Sequence, residues 1–178
     1  QWGDDFVRAY SNHFGTDVSL SSDGRYLAIS EYGEVAPYDE AQVFIYSHNI
    51  HSGDDRTQES WYETSLRGTR QSSGTVADLI GSSSDGFGRA IQFSGDGQRL
   101  AVTSAAKGIV TVFQRTGTIG ERWSGIAEIE GGGCNAPYGD CLTRMDINFD
   151  GTILAAYTGS EDGTEVGEVT IVELTATG

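Results

Sequence analysis

Residues 87–102, FGRAIQFSGDGQRLAV, decide the fold because the same pattern occurs twice more in the chain. Residues 14–29 read FGTDVSLSSDGRYLAI, and residues 141–156 read CLTRMDINFDGTILAA. In each copy an Asp-Gly pair begins nine residues after the first residue, and an apolar pair follows four residues later. A tryptophan precedes each copy, and the three tryptophans are 61 − 2 = 59 and 123 − 61 = 62 residues apart. A period of this size predicts a repeat architecture.

Each copy is predicted to form two strands joined by a tight turn, since both residues of an Asp-Gly pair tolerate positive φ. A run rich in β-branched residues follows each copy and predicts a third strand. A tryptophan precedes each copy and marks a fourth strand, and we expect its main role to be packing between units. The turn residues are Asp23, Gly24, Asp96, Gly97, Asp150 and Gly151, and the tryptophans are Trp2, Trp61 and Trp123.

The predicted fold is all-β, with three four-stranded antiparallel units that resemble the blades of a β-propeller. The chain is interpreted as one propeller segment, with units at about 2–60, 61–122 and 123–178. Propellers contain four to eight blades, so three are expected to form an incomplete ring. The remaining blades could come from the same polypeptide, from a second copy or from another subunit.

The pattern W…FGxxVxxSxDGxxLAV…GxVxVF resembles both the FG-GAP repeats and the WD-type repeats of secreted propeller proteins. The opening pairs Phe14-Gly15 and Phe87-Gly88 carry the FG likeness, and the third unit has Cys141-Leu142 in that place. FG-GAP repeats typically carry a calcium loop, whereas the loops SSDG, SGDG and NFDG have too few oxygens to surround a calcium ion. The resemblance therefore implies a repeat without cofactor, and Ca²⁺ is the weaker alternative.

The net charge of −15 excludes two classes of partner. Binding to nucleic acid or to an anionic membrane surface needs a basic face. No run of about 20 apolar residues is present, so no membrane span is predicted. Acidic loops at equivalent places in the first and third units are possible binding loops for Ca²⁺ or a basic protein, with simple solvated loops as the alternative. Their residues are Glu34, Asp39, Glu40, Glu161, Asp162 and Glu165.

Two cysteines, Cys134 and Cys141, lie in the short loop GGGCNAPYGDC and are predicted to form a local disulfide. Without a nearby histidine they cannot complete a zinc site, so no metal is predicted. A disulfide favours an extracellular or other oxidising compartment. The start at Gln1 is consistent with a processed secreted protein or a trimmed fragment.

No catalytic motif is evident, because the chain has neither a Gly-x-Ser-x-Gly elbow nor a phosphate-binding glycine loop. The candidates for a channel lining are Thr16, Asp17, Arg89 and Arg144, which indicate a polar lining rather than a pair of carboxylates. We therefore predict no catalytic residue and a non-enzymatic interaction or structural module of a secreted propeller. The alternatives are a carbohydrate-active enzyme with carboxylates in the channel, and an accessory subunit of a large organelle complex.

Overall fold

The structure of the protein is a computed structural model. It describes residues 6, 13–31, 40–49, 60–63, 79–82, 85–116, 122–130, 142–158 and 167–175. Within these ranges, no helix has the length and apolar character that a membrane crossing would need.

The described residues form twelve strands in three antiparallel sheets. Sheet 1 contains β1 (Phe14–Leu20), β2 (Tyr26–Glu31), β3 (Glu40–Asn49), β4 (Ser60–Glu63) and β5 (Leu79–Ser82). Sheet 2 contains β6 (Phe87–Phe93), β7 (Arg99–Ser104), β8 (Ile109–Thr116) and β9 (Arg122–Glu130). Sheet 3 contains β10 (Leu142–Ile147), β11 (Ile153–Thr158) and β12 (Glu168–Glu173). A 3-10 helix, Ala105–Lys107, links β7 to β8.

The prediction of an all-β fold built from propeller blades is confirmed. In sheet 2 the strands follow the order β6-β7-β8-β9, and sheets 1 and 3 repeat its first strands in the same order. The strand that contains Trp123 pairs with β8, and the strand that contains Trp61 pairs with β3. Each tryptophan strand therefore belongs to the sheet formed by the repeat that precedes it in the sequence. The described sheets begin at β1, β6 and β10, one strand later than units counted from the tryptophans.

The three Asp-Gly turns share two hydrogen bonds, one from the N–H two residues after the aspartate to its carboxylate and one from the glycine N–H to the carbonyl three residues earlier. In sheet 2 the Asp96 carboxylate accepts the Ser94 hydroxyl at 2.7 Å and the Gln98 N–H at 2.9 Å. The Gly97 N–H donates to the Ser94 carbonyl at 2.9 Å, with Gly97 at φ 66°. Sheet 1 repeats these bonds around Asp23, and in sheet 3 asparagine and threonine side chains complete the turn around Asp150. The turn is thus set by residues close in sequence.

A hydroxyl on the second strand supports the first strand of sheets 1 and 2 where that strand is bulged. The Asp17 N–H donates to Ser30 Oγ at 3.0 Å, and the Ala90 N–H donates to Thr103 Oγ1 at 2.8 Å. The pairing of β1 with β2, and of β6 with β7, shifts register at this place. Because a bulge leaves backbone groups without a ladder partner, a fixed hydroxyl is well suited to satisfy them.

The apolar cores lie between successive sheets rather than within one sheet. The first core joins side chains of sheet 1, such as Val43 and Ile45, to Phe93 and Leu100 of sheet 2. A second core joins sheets 2 and 3 in the same way. A third cluster, with Phe44 at its centre, lies on the other face of sheet 1. A sheet of this fold is therefore stabilised mainly by its neighbours.

We name the two faces of each sheet by this stacking. The forward face is the one that packs on the next sheet along the chain, and the back face is the opposite one. Val43 and Ile45 mark the forward face of sheet 1, and Phe93 marks the back face of sheet 2. Equivalent residues of the three repeats then lie on faces that have the same name.

Candidate functional site

The first strands of the three sheets, β1, β6 and β10, lie side by side and are called the inner strands. Two hydrogen bonds fix how β1 and β6 are aligned. The Ile91 N–H donates to Asp17 Oδ2 at 2.8 Å, and the Phe93 N–H donates to Ser19 Oγ at 2.9 Å. Since residue numbers increase together along both strands, the two strands run in the same direction. Their N-terminal ends therefore meet at one rim and their Asp-Gly turns at the other.

Backbone hydrogen bonds join the turns at the second rim. The Ser22 N–H donates to the Gly95 carbonyl at 3.0 Å, and the Asp96 N–H donates to the Phe149 carbonyl at 2.9 Å. Each turn is thus bonded to the turn of the next sheet. This rim is occupied by structural contacts, so the opposite rim is the better place for a binding site.

Asp17 connects two sheets, and both of its carboxylate oxygens accept hydrogen bonds from backbone N–H groups. One carboxylate oxygen accepts the Val18 N–H at 2.9 Å, and the other accepts the Ile91 N–H of sheet 2. Hydrogen bonds to a carboxylate are stronger than bonds between neutral groups. The acidic candidate for the channel lining therefore has a structural role between sheets 1 and 2.

We expect Asp17→Ala to lower the free energy of unfolding by about 1–3 kcal/mol, since the Ile91 N–H loses its acceptor between two sheets. Asp17→Asn retains one acceptor oxygen and should cost less. The matched control is Asp85→Ala, which removes the Asp85–Lys107 ion pair, a surface contact worth about 0–1 kcal/mol. Urea denaturation of the three variants measures the difference. Equal losses for Asp17→Ala and Asp85→Ala would contradict the inter-sheet role.

One repeat position at the start of the second strand also carries contacts between sheets. Arg99 is buried, and its guanidinium donates to the carbonyl of Gly151 in sheet 3 at 2.7 Å. Tyr26 occupies the same position in sheet 1, and its hydroxyl accepts a hydrogen bond from Arg115 of sheet 2. The Arg115 guanidinium also lies 4.6 Å from the centre of the Tyr26 ring, a cation–π contact. These arginines support the stacking of sheets and are not available to a ligand.

Two other arginines lie near the N-terminal ends of the inner strands. Arg89 is the third residue of β6, and Arg144 is the third residue of β10. Arg144 is exposed, and Arg89 is half-buried. In β1 the third residue is Thr16, whose hydroxyl and N–H both donate to the carbonyl of His13, at 2.7 Å and 3.2 Å. This rim, defined by His13, Arg89 and Arg144, is called the basic rim below.

The basic rim stands out in a chain that has 26 acidic residues but only 11 lysines and arginines. A guanidinium presents a planar set of donors that matches the oxygens of a carboxylate or phosphate. Lys107 pairs with Asp85, and Arg25 lies 3.6 Å from Asp23 at the opposite rim. We take the basic rim, with its two guanidinium groups, as the candidate for binding a small anion.

The carboxylates of the turns are held by local hydrogen bonds. Burial raises the pKa of Asp23, but hydrogen bonds from Ser21 and Arg25 and the charge of Arg25 together bring it below its usual range. Hydrogen bonds from the Thr152 hydroxyl and N–H lower the pKa of Asp150. Both groups therefore remain ionised at neutral pH, hydrogen-bonded within their own turns.

No group of three or more possible metal ligands occurs in the described part of the chain.

The structure places some of the residues singled out from sequence and leaves others undescribed. Trp123 packs on Phe93, with ring centres 5.8 Å apart, at the edge of the core between sheets 1 and 2. Within the described residues its buried indole N–H has no hydrogen-bond partner, so it contributes through ring packing. For Trp61 and Glu40 only the strand position is described. Outside the described residues lie Trp2, Glu34, Asp39, Cys134, Cys141, Glu161, Asp162 and Glu165.

Sequence reasoning missed Ser19 and Arg99, which both bridge neighbouring sheets. A signal for Arg99 was present, because it stands between a turn and a buried apolar strand, where a charged residue needs a specific partner. Ser19 gave no such signal, since an alternating strand commonly carries a serine on one face.

Comparisons with known proteins identify the fold. No protein-family model matches the chain, and no curated protein matches it. Among solved structures it resembles a "putative 6-phosphogluconolactonase" from Bacteroides fragilis, with 19% identity and a TM-score of 0.54 over 98% of this chain and 41% of that one. It also resembles hydrazine synthase from Kuenenia stuttgartiensis, with 13% identity and a TM-score of 0.50 over 94% of this chain and 47% of that one.

A third solved structure is the periplasmic gluconolactonase of Pseudomonas aeruginosa, with 18% identity and a TM-score of 0.45 over 88% of this chain and 39% of that one. The chain spans less than half of the length of these proteins. The fold is of the β-propeller type, and no family model or sequence-level match supports FG-GAP or WD repeats in particular.

This comparison overturns the prediction of a non-catalytic interaction or structural module. A protein named as a putative 6-phosphogluconolactonase is among the structures that the chain resembles, so the prediction that it is not an enzyme is corrected as well. The physical reason lies in the fold. Inner strands from separate sheets meet at one rim, and functional groups there come from distant parts of the chain. Such a site leaves no local sequence motif.

Proposed function

We propose that the protein is a hydrolase that opens the lactone of an anionic sugar acid at the basic rim. The observation that carries this proposal is the pair Arg89 and Arg144 near the N-terminal ends of two neighbouring inner strands. The chain is strongly acidic overall, which disfavours a nucleic acid or an anionic membrane as the ligand, and a pair of guanidinium groups suits a small anion. The likeness to a protein named for 6-phosphogluconolactone supports this class of substrate.

The chemistry assigns two roles to the arginines. One guanidinium binds the phosphate or carboxylate of the sugar, where paired N–H donors give both affinity and orientation. The other donates to the lactone carbonyl oxygen, which gains negative charge when water attacks. The ring C–O bond then breaks, and the released alkoxide takes up a proton to give the open sugar acid.

We assign the removal of a proton from the attacking water to His13. Imidazole is the side chain that most readily accepts a proton near neutral pH. The two hydrogen bonds from Thr16 hold the His13 carbonyl beside the start of β1, which fixes the backbone from which the imidazole extends. Asp17 is less suitable for this role because both of its carboxylate oxygens accept backbone N–H groups.

The test compares hydrolysis of 6-phosphogluconolactone and gluconolactone by the purified protein. We expect a preference for the phosphorylated lactone, and Arg89→Ala or Arg144→Ala should each lower kcat/KM about 10- to 100-fold. The matched control is Arg25→Ala, which removes the same charge at the opposite rim. Lactone opening is followed by proton release in a weakly buffered solution, with the uncatalysed rate subtracted.

Two results would refute the proposal. The first is the absence of hydrolysis above the uncatalysed rate for both lactones. The second is a loss in Arg25→Ala that equals the losses in the two rim variants, since a general effect of charge would then explain them.

Three further features belong to the proposal. The repeat is distantly related to FG-GAP and WD repeats. On the grounds of sequence alone, the protein is secreted into an oxidising compartment and Cys134 forms a disulfide with Cys141. A Ca²⁺ ion bound by the acidic loops remains the weaker alternative to no cofactor.

A further inference from the structure

The forward face of sheet 3 exposes apolar side chains that a single sheet does not bury. Val169 is 61% exposed, Ile171 is 69% exposed and Ile153 is 43% exposed. Val169 and Ile171 lie in β12, opposite Tyr157 and Ala155 of β11. Neighbouring apolar side chains with this exposure indicate a surface that binds another protein segment.

The same repeat positions are fully buried in the other two sheets. In each sheet, the residue equivalent to Ile171 faces an alanine of the second strand, and the residue equivalent to Val169 lies two positions earlier. The equivalents of both are at most 1% exposed, and they are Val43, Ile45, Val110 and Val112. In sheets 1 and 2 these positions are covered by the inner and second strands of the next sheet. The occupant that fits sheet 3 is therefore the back face of another such sheet, beginning with its inner strand.

The back face of sheet 1 presents such a strand. Val18 is 58% exposed and Leu20 is 54% exposed, both in β1. The equivalent residues of sheet 2 are Ile91 and Phe93, each 2% exposed because they pack on sheet 1. The outer part of the back face of sheet 1 is occupied by Phe6, which packs with Tyr46, so the exposed part is the inner strand itself.

We propose that a second copy of this chain places the back face of its sheet 1 on the forward face of sheet 3. The reciprocal contact forms at the other end, so two copies close a six-bladed ring with two-fold symmetry. Six blades lie within the range of four to eight that propellers use. Each contact joins the back face of sheet 1 in one copy to the forward face of sheet 3 in the other. A closed pair of copies therefore covers both exposed faces of each chain.

A polar group at the centre of the forward face fits this arrangement. Asp146 stands at the repeat position of Ser19, whose hydroxyl accepts the Phe93 N–H from the next inner strand. One oxygen of Asp146 accepts the Ile147 N–H at 2.9 Å. In the described part of the chain its other oxygen accepts no hydrogen bond, and it is available to a backbone N–H of the second copy.

The experiment measures the mass of the protein in solution over about a hundredfold range of concentration, by light scattering after gel filtration. We expect twice the 19.0 kDa of one chain. Ile171→Asp and Val18→Asp each bury an unpaired charge in both contacts and should weaken the dimer at least about 100-fold. Ser124→Asp, which adds the same charge on the exposed part of β9, is the matched control and should remain a dimer.

Mixing the two monomeric variants distinguishes this arrangement from others. A pair made of Val18→Asp and Ile171→Asp chains has one contact free of both substitutions, so a heterodimer should reappear. A dimer that pairs two forward faces would resist Val18→Asp and give no such rescue. Circular dichroism checks the fold of each variant, and Ile171→Thr replaces Ile171→Asp if the latter does not fold.

A monomeric natural chain, an open series of larger assemblies, or a dimer insensitive to both substitutions would overturn the proposal. None of these results bears on the basic rim, since Arg89→Ala and Arg144→Ala are judged by lactone hydrolysis. Failure of one proposal can therefore be distinguished from failure of the other.

Discussion

Replacing Phe93 with alanine is expected to lower the free energy of unfolding by about 3–5 kcal/mol. Phe93 is 2% exposed in the core between sheets 1 and 2. Its ring packs against Tyr26 at 6.4 Å and against Trp123 at 5.8 Å, measured between ring centres. Truncation removes the ring from both neighbours, and the surrounding strands are too firmly hydrogen-bonded to fill the cavity.

The matched control is Phe149→Ala, since Phe149 is the same residue type but is 67% exposed at the turn rim. We expect its loss to stay below about 1 kcal/mol, because little apolar surface leaves water when this ring packs. Equilibrium denaturation in urea at constant protein concentration measures both. Similar losses for the two variants would mean that the stacking of sheets 1 and 2 does not dominate stability.

The second large effect is expected for Gly97→Ala, at about 2–5 kcal/mol. Gly97 has φ 66°, a left-handed conformation that costs a residue with a Cβ about 1–2 kcal/mol. A Cβ at this place would also lie 2.8 Å from Cδ2 of Tyr26 and 3.2 Å from Cβ of Ser21. Because Arg115 holds the Tyr26 ring from its face and its hydroxyl, the ring cannot move aside freely, and overpacking adds about 1–3 kcal/mol.

Gly24 separates the two contributions. It occupies the same turn position with φ 69°, but a Cβ there would meet nothing within 4 Å. Gly24→Ala should therefore show only the backbone cost, about 1–2 kcal/mol. The difference in unfolding free energy between the two variants measures the contact between sheets 1 and 2 at the turn rim. Equal losses would show that the Tyr26 ring yields without cost.

How far the sequence predicted the fold is clearest at the turns. The Asp-Gly pairs indicated hairpins, and in the structure Asp23 and Asp96 bond to groups within two residues of themselves. Interactions of such short range are encoded by neighbouring residues, and they recur in every copy of the repeat. Strand alternation and the repeat spacing then led correctly to an all-β propeller.

The candidate site could not be predicted in the same way. Asp17 was identified as a channel-lining candidate, but its partner Ile91 lies 74 positions away. Arg89 and Arg144 were grouped with Asp17 as a polar lining, but they stand at different repeat positions, so the pattern assigned them no shared role. The expectation of a non-catalytic module followed from this lack of a local motif, and the comparison with solved structures corrected it.

By itself, the sequence determined the turns, the strands that flank them and the repetition of this pattern three times. Tertiary structure alone decided which charged residues support the stacking of the sheets. Arg99 and Arg144 are chemically identical, yet one is buried against Gly151 of the next sheet and the other is exposed. Local hydrogen bonding and alternation act over a few residues, whereas the environment of a side chain is set by the sheet that packs on it.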